Sequence, residues 1–248
     1  MDIWTACKER IAPESLRGEL IRVVESQEQV ATNSLVDNLQ EQELLENLLE
    51  STKPASSSKN LHYLLHTPFR YPPLKHGSRF GLRTEPSLFY GSLTISTALA
   101  ETAYYRLLFW QGMSIAPASG KFTTQHTAFT ARYQTESGLK LHQPPFDTYL
   151  DLLRHPASYQ ATQAMGSTMR KNGIIAFEYI SARDEEKGVN IALFNNKALS
   201  GQKPLSQQAW LCETNSEQVS FFSTLSKQTY HYPKTTFLIN DHLPDPAT

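Results

Sequence analysis

Three separate segments of this 248-residue chain contain residues that are candidates for catalysis or for binding an anionic ligand. The first, residues 69–81, holds Arg70 and Arg79 beside Tyr71, a lysine and a histidine. Arginine is suited to phosphate because its planar guanidinium offers paired hydrogen-bond donors to two oxygens. A solvated basic loop would have the same composition, so both interpretations of this segment remain open.

The second segment contains one isolated acid, Glu101. It is the only Asp or Glu between residues 86 and 135, and it lies in an apolar stretch that predicts a helix over about residues 95–110. Such a carboxylate is either paired with an arginine for structure or retained for chemistry. Arg106, five residues further on, is not well placed to pair with it on a helix, and the two interpretations stay open.

The third segment is Tyr179–Arg183, where a predicted strand runs into a loop. Ser181 alone is an ordinary turn residue. The informative feature is the combination of Arg79, Glu101 and Ser181 on three segments, each at the edge of a predicted element.

Short strands and helices must position these side chains. Strands are predicted at residues 88–91, 174–180 and 189–194, with a hairpin loop at 183–188 and a helix cap at Ser92 or Thr94. The prolines at 68, 72 and 73 predict extended backbone at Thr67 and Tyr71. This irregular mixture favours an α+β fold with small mixed or antiparallel sheets and flanking helices.

The first 53 residues differ from the rest in charge and pattern. They contain 5 Lys and Arg against 11 Asp and Glu, a net charge of −6, whereas residues 54–248 carry +5. Apolar residues at helical spacing over 16–24 and 35–49 predict an acidic helical arm that packs on the body or on a second subunit. A linker at 54–60 then precedes a domain at 61–248, with the motifs in about 61–196.

Composition and missing motifs exclude several function classes. The net charge of −1 argues against direct nucleic-acid binding by bulk basicity. Mean hydropathy is −0.42, and the first four residues do not read as a signal peptide, so a cytoplasmic protein without a membrane segment is expected. Two distant cysteines and eight scattered histidines do not suggest a metal site, and no dinucleotide-binding glycine motif or P-loop is present.

The order of these motifs resembles the RES domain. The resemblance rests on Phe69-Arg70-Tyr71, Gly77-Ser78-Arg79-Phe80, Leu88-Phe89-Tyr90-Gly91-Ser92, Thr97-Ala98-Leu99-Ala100-Glu101 and Ser181-Ala182-Arg183. It implies a fold like that of ADP-ribosyltransferase toxins and cleavage of the nicotinamide–ribose bond of NAD⁺, with phosphate or water as acceptor and no cofactor. It also implies a bacterial toxin partnered by an Xre-type helix-turn-helix antitoxin.

The resemblance further assigns the site. The catalytic residues would be Arg79, Glu101 and Ser181, and the substrate-binding residues would be Arg70, Tyr71 and Tyr90. A homo-oligomer or a toxin–antitoxin complex is expected. Two alternatives stay open at this point, namely mono-ADP-ribosyl transfer onto a protein and a non-catalytic interaction module that binds through the acidic arm.

Overall fold

The computed structural model describes residues 2–26, 36–52 and 60–246. The helices of these residues are α1 (Ile3–Cys7), α2 (Leu39–Thr52), α3 (Tyr63–Arg70), α4 (Ile95–Gln111), α5 (Leu150–Leu153) and α6 (Gln160–Lys171). The strands are β1 (Glu14–Glu25), β2 (Phe89–Ser92), β3 (Lys121–Lys140), β4 (Ala176–Ile180), β5 (Val189–Leu193), β6 (Ser206–Asn215), β7 (Gln218–Ser223) and β8 (Thr229–Pro233).

The eight strands form one connected sheet in the order β1-β2-β5-β4-β3-β6-β7-β8. The long strand β3 also pairs with β1, so the strands β1, β2, β5, β4 and β3 close into a ring. Only the pairing of β3 with β4 is parallel among these described strands. The predicted α+β class is confirmed, with one mixed sheet in place of several small ones.

The helical prediction for residues 14–25 is wrong, because this segment is strand β1, antiparallel to β3 from Glu14 to Glu25. Leu16 and Leu20 are four residues apart, which suits one face of a helix and equally one face of a strand. Gly18 lies between them, and Ile, Val and Val follow at 21, 23 and 24, residues that favour a strand. The first 53 residues are therefore not one helical arm.

The second part of the predicted arm is helical, as α2. Its leucines at 39, 44, 48 and 49 are nevertheless 40–84% exposed, so the described residues of this chain do not bury the apolar stripe that their spacing predicts. Leu35 and residues 54–59 of the predicted linker lie outside the described residues.

The elements predicted around the site are confirmed with one correction. The strands at β2, β4 and β5, the β4–β5 hairpin and helix α4 all form, and the Thr94 hydroxyl caps α4 by accepting the Thr97 N–H at 3.2 Å. Extended backbone is found at Tyr71, at φ −91° and ψ 146°. Thr67 instead lies inside α3, because burial of the leucines at 64 and 65 outweighs the preference against helix before a proline.

The core is divided among three apolar clusters, which lie on the two faces of the sheet ring and under α4. Helix α4 packs against β1, β2, β5, β6 and β7, so its position is set by most of the sheet. No helix among the described residues is long and apolar enough to cross a membrane.

Candidate functional site

A cleft of about 450 Å³ opens where the loop before β2 meets the start of α4. Three residues predicted from the sequence line it, namely Arg79, Tyr90 and Glu101. The size lies in the range of about 300–1,000 Å³ that is common for small-molecule sites. The structure therefore brings residues 79, 90 and 101 together on one concave surface.

One oxygen of Glu101 is tied down and the other is not. Oε1 accepts a hydrogen bond from the Ser181 hydroxyl at 2.6 Å and another from the Asn190 side-chain amide at 2.7 Å. Oε2 has no hydrogen-bond partner among the described residues. Glu101 lies on helix α4, and residues of β5 and of the turn after β4 fix the orientation of its carboxylate. Oε2 is left for a ligand.

Ser181 holds Glu101 and does not itself line the cleft. Its hydroxyl oxygen accepts the N–H groups of Arg183 at 3.0 Å and Asp184 at 3.1 Å, so its proton is directed at Glu101. The residue is fully buried. The structure gives Ser181 the geometry of a positioning residue, whereas the resemblance implied a catalytic residue.

The Ser181 loop is fastened to the first turn of α4. The Thr97 hydroxyl donates to Asp184 Oδ2 at 2.7 Å, and Asp184 Oδ1 accepts the Glu186 N–H. A Cβ at Gly188 would collide with Thr97 and Asp184, so only glycine fits where the loop meets the helix. The same contact therefore sets the distance between the Ser181 loop and the Glu101 helix.

Arg79 is 91% buried, with its guanidinium anchored on one side. Its Nη1 donates to the carbonyl oxygens of His155 at 2.8 Å and Leu153 at 3.5 Å. The guanidinium carbon lies 4.5 Å from the centre of the Tyr159 ring, a cation–π distance. No carboxylate pairs with Arg79 among the described residues, so its positive charge remains available to an anion in the cleft.

Tyr90 shapes the loop that carries Arg79. Its hydroxyl lies 2.8 Å from the Ser78 hydroxyl and accepts the Phe80 N–H at 3.1 Å. Burial raises the pKa of Tyr90 to about 12, so it is neutral at physiological pH. Its ring packs edge-on against Tyr179, another residue of the cleft wall.

Arg22 and Asn190 are polar residues of the cleft that were not among the site residues predicted from the sequence. Arg22 comes from β1 and donates from Nη1 to the Tyr90 carbonyl oxygen at 2.6 Å, and it was missed because its segment was interpreted as helix. Asn190, from β5, is buried and joins Glu101 to the Ser92 hydroxyl. The sequence did contain one signal for Arg22, since it is the one charged residue in the apolar run Leu20-Ile21-Arg22-Val23-Val24.

Two predicted substrate-binding residues do not line the cleft. Arg70 ends α3 and contributes to neither of the cavities at this face. Tyr71 is 39% exposed and lines a second cavity of about 280 Å³, here called the side pocket, which adjoins the cleft. Neither residue therefore lines the cleft that contains Glu101, and their role in substrate binding stays a prediction.

The described residues contain no cluster of three or more His, Cys, Asp or Glu side chains that would hold a metal ion. Cys7 and Cys212 are buried free thiols, and burial raises the pKa of both. A buried thiol of raised pKa is a poor nucleophile. The groups that line the cleft and are available for chemistry therefore include the carboxylate, the two guanidinium groups, the His76 imidazole and several hydroxyls.

No curated protein matches the chain at a significant level of similarity. The family model described as the RES domain matches residues 55–215, well over half of the chain. The match begins after β1, so Arg22 reaches the cleft from outside the matched segment. On the strength of this match, which includes the loop with Arg79, the helix with Glu101 and the turn with Ser181, the chain belongs to the RES domain family.

Proposed function

We propose that this protein breaks the bond between nicotinamide and ribose in NAD⁺ and transfers the ADP-ribosyl group to phosphate or water. The observation that supports the proposal most strongly is the state of Glu101, a carboxylate with one oxygen held by Ser181 and Asn190 and the other free in the cleft. Membership in the RES domain family points to the same chemistry.

The leaving group sets what the site must supply. Nicotinamide is cationic while attached to ribose, and it takes the electron pair of the broken carbon–nitrogen bond and leaves as a neutral molecule. No general acid is therefore needed. Positive charge develops on the ribose carbon and ring oxygen, and a fixed carboxylate stabilises that charge best when it does not have to reorganise. Glu101 Oε2 has this role in the proposal.

The diphosphate of the substrate needs cationic partners. Arg79 and Arg22 line the cleft with Glu101, and both are anchored through Nη1 to carbonyl oxygens. Burial lowers the pKa of Arg22 to about 10, which leaves it charged at neutral pH. Two oriented guanidinium groups beside a single carboxylate match a ligand that is anionic in its middle and becomes cationic at one end.

The acceptor completes the reaction. An oxygen of phosphate or water forms the new bond to the ribose carbon, and water also releases a proton to solvent. The products are nicotinamide with ADP-ribose 1″-phosphate or with ADP-ribose. His76 lines the cleft, and Lys75 and Arg83 lie on the same loop region, which makes an anionic acceptor reasonable.

The test is incubation of the purified protein with NAD⁺, with and without inorganic phosphate, followed by chromatography of the products. Release of nicotinamide supports the proposal, and the second product identifies phosphate or water as acceptor. Absence of nicotinamide under both conditions contradicts it. Tagged ADP-ribose appearing on a protein in a cell extract would indicate mono-ADP-ribosyl transfer instead.

The biological role in this proposal is that of a toxin that lowers cellular NAD⁺, neutralised by an Xre-type helix-turn-helix antitoxin. Induced expression should then arrest bacterial growth together with a fall in NAD⁺, and the Glu101→Gln variant should do neither. Growth arrest by the variant, equal to that by the wild type, would contradict this role.

A further inference from the structure

The side pocket lies directly beside the cleft, and nothing in the reaction at Glu101 uses it. The two cavities share four lining residues, Arg22, Pro68, Pro72 and Ser87. The two cavities therefore adjoin at these four residues, of which Arg22 is the charged one.

Arg22 stands at the junction with an unused donor. Its Nη1 donates to the Tyr90 carbonyl oxygen, whereas its Nε is buried and has no hydrogen-bond partner among the described residues. Buried donors without an acceptor are uncommon and costly, so the protein itself does not use the full hydrogen-bonding capacity of this guanidinium, which lines both cavities. Arg22 is also the only Lys or Arg lining the side pocket in the part of the chain that is described.

The walls of the side pocket suit a flat heterocycle. Tyr63 and Tyr71 provide aromatic surface, and Pro68, Pro72 and Val24 provide apolar surface. Stacking between aromatic side chains and a nucleobase is favourable for every base because each base has a π-face. Tyr71 is held in place, since the Ser87 hydroxyl donates to its carbonyl oxygen at 2.8 Å.

Two charged residues line the side pocket in the described part of the chain, Arg22 at the entrance and Glu25. The Glu25 carboxylate pairs with the Arg106 guanidinium at 3.0 Å, which leaves Arg22 as the cation for a phosphate at the junction, with an uncharged group beyond it. The Thr127 hydroxyl in the pocket has no hydrogen-bond partner among the described residues and is free for a ring nitrogen. We infer that the side pocket is the subsite for the purine nucleoside half of the dinucleotide, with Arg22 holding the diphosphate between the two cavities.

This inference rests on the proposed cleavage of NAD⁺ and adds a subsite to it. Thr67→Trp fills the side pocket from helix α3, and Tyr71→Ala removes an aromatic wall whose side chain is already 39% exposed. The matched control is Thr229→Trp, an exposed position on β8 at the far edge of the sheet. Melting temperatures show whether each variant is folded. If Thr67→Trp does not fold, Tyr71→Ala provides the test instead.

The experiment compares two substrates, NAD⁺ and nicotinamide mononucleotide, which lacks the purine nucleoside. Both side-pocket variants should raise KM for NAD⁺ by about 10-fold or more, while kcat changes little and kcat/KM for the mononucleotide is unchanged. The control should behave as wild type with both substrates. Unchanged KM for NAD⁺, or an equal loss with both substrates, would overturn the subsite.

Binding of ADP, measured by calorimetry, separates this inference from the proposed function. Wild type and Thr229→Trp should bind ADP about 10-fold or more tightly than Thr67→Trp. If that difference is found although no NAD⁺ is cleaved, the subsite stands and the proposed reaction falls. If NAD⁺ is cleaved and ADP binds all four proteins equally, the subsite falls and the reaction stands.

Discussion

Replacing Ser181 by alanine tests whether this serine acts through Glu101. The substitution removes a 2.6 Å hydrogen bond to Oε1 of the carboxylate and leaves Asn190 as its only tether. It also removes the acceptor of two buried backbone N–H groups, those of Arg183 and Asp184. The first loss loosens the Glu101 carboxylate, and the second destabilises the loop that contains Arg183 and Asp184.

The sizes of these two losses can be estimated from the contacts. A hydrogen bond to a charged group contributes about 1.5–3 kcal/mol, which corresponds to about 10- to 100-fold in rate if it serves the transition state. Each buried N–H left without an acceptor costs about 1–3 kcal/mol of folding free energy. Ser181→Ala should therefore lower kcat about 10- to 100-fold with KM little changed, and should lower the free energy of unfolding by about 2–6 kcal/mol.

The assay is the initial rate of nicotinamide release over a range of NAD⁺ concentrations, together with urea unfolding. The matched control is Ser223→Ala on β7, since Ser223 is also buried and its hydroxyl accepts a backbone N–H, that of Ser226, at 3.1 Å. The control should lose stability and keep its kcat. Equal kcat in wild type and Ser181→Ala, or equal losses of kcat in both variants, would refute the positioning role.

Three other substitutions address the surrounding structure. Tyr90→Phe removes the acceptor of the Phe80 N–H and so weakens the loop that carries Arg79. Steady-state kinetics should show kcat/KM for NAD⁺ lowered about 10-fold. Gly166→Ala places a Cβ against the Phe80 carbonyl and should lower the free energy of unfolding, measured in urea, by about 1–3 kcal/mol. The control Gly201→Ala, where a Cβ meets only an ordinary contact, should leave that free energy unchanged. Burial lowers the pKa of His126 from 6.5 to about 4, so the unfolded chain binds a proton that the folded chain does not, and unfolding should become easier as pH falls from 6.5 to 4. His126→Gln should flatten that slope.

The sequence predicts the site residues that lie in strongly patterned segments. Glu101 was found because one acid in an apolar helical stretch is conspicuous, and the strand β2 and the β4–β5 hairpin were found from β-branched and aromatic runs between turn residues. Arg79 could be proposed from its residue type and the motif order. The structure contains these strands and places Arg79 and Glu101 in one cleft, and their catalytic roles stay predictions.

The remainder depends on tertiary contacts that no local pattern reveals. Leu16 and Leu20 fit a helix and a strand equally well, and only pairing with β3 selects the strand that brings Arg22 to the cleft. Asn190 is an ordinary polar residue in sequence, and it gains its role because β5 passes beside α4. Tyr71 is close to Arg79 in sequence, but the intervening loop places it in the side pocket.

The role of Glu101 is the central claim, and the rate of nicotinamide release by wild type and Glu101→Gln measures it most directly. The glutamine keeps the size of the side chain and an oxygen that accepts from Ser181 and Asn190, so the melting temperature should change little. Loss of the negative charge should lower kcat by about two to three orders of magnitude, by analogy with the loss of one stabilising group in other active sites. A folded Glu101→Gln variant that releases nicotinamide at the wild-type rate would contradict the claim.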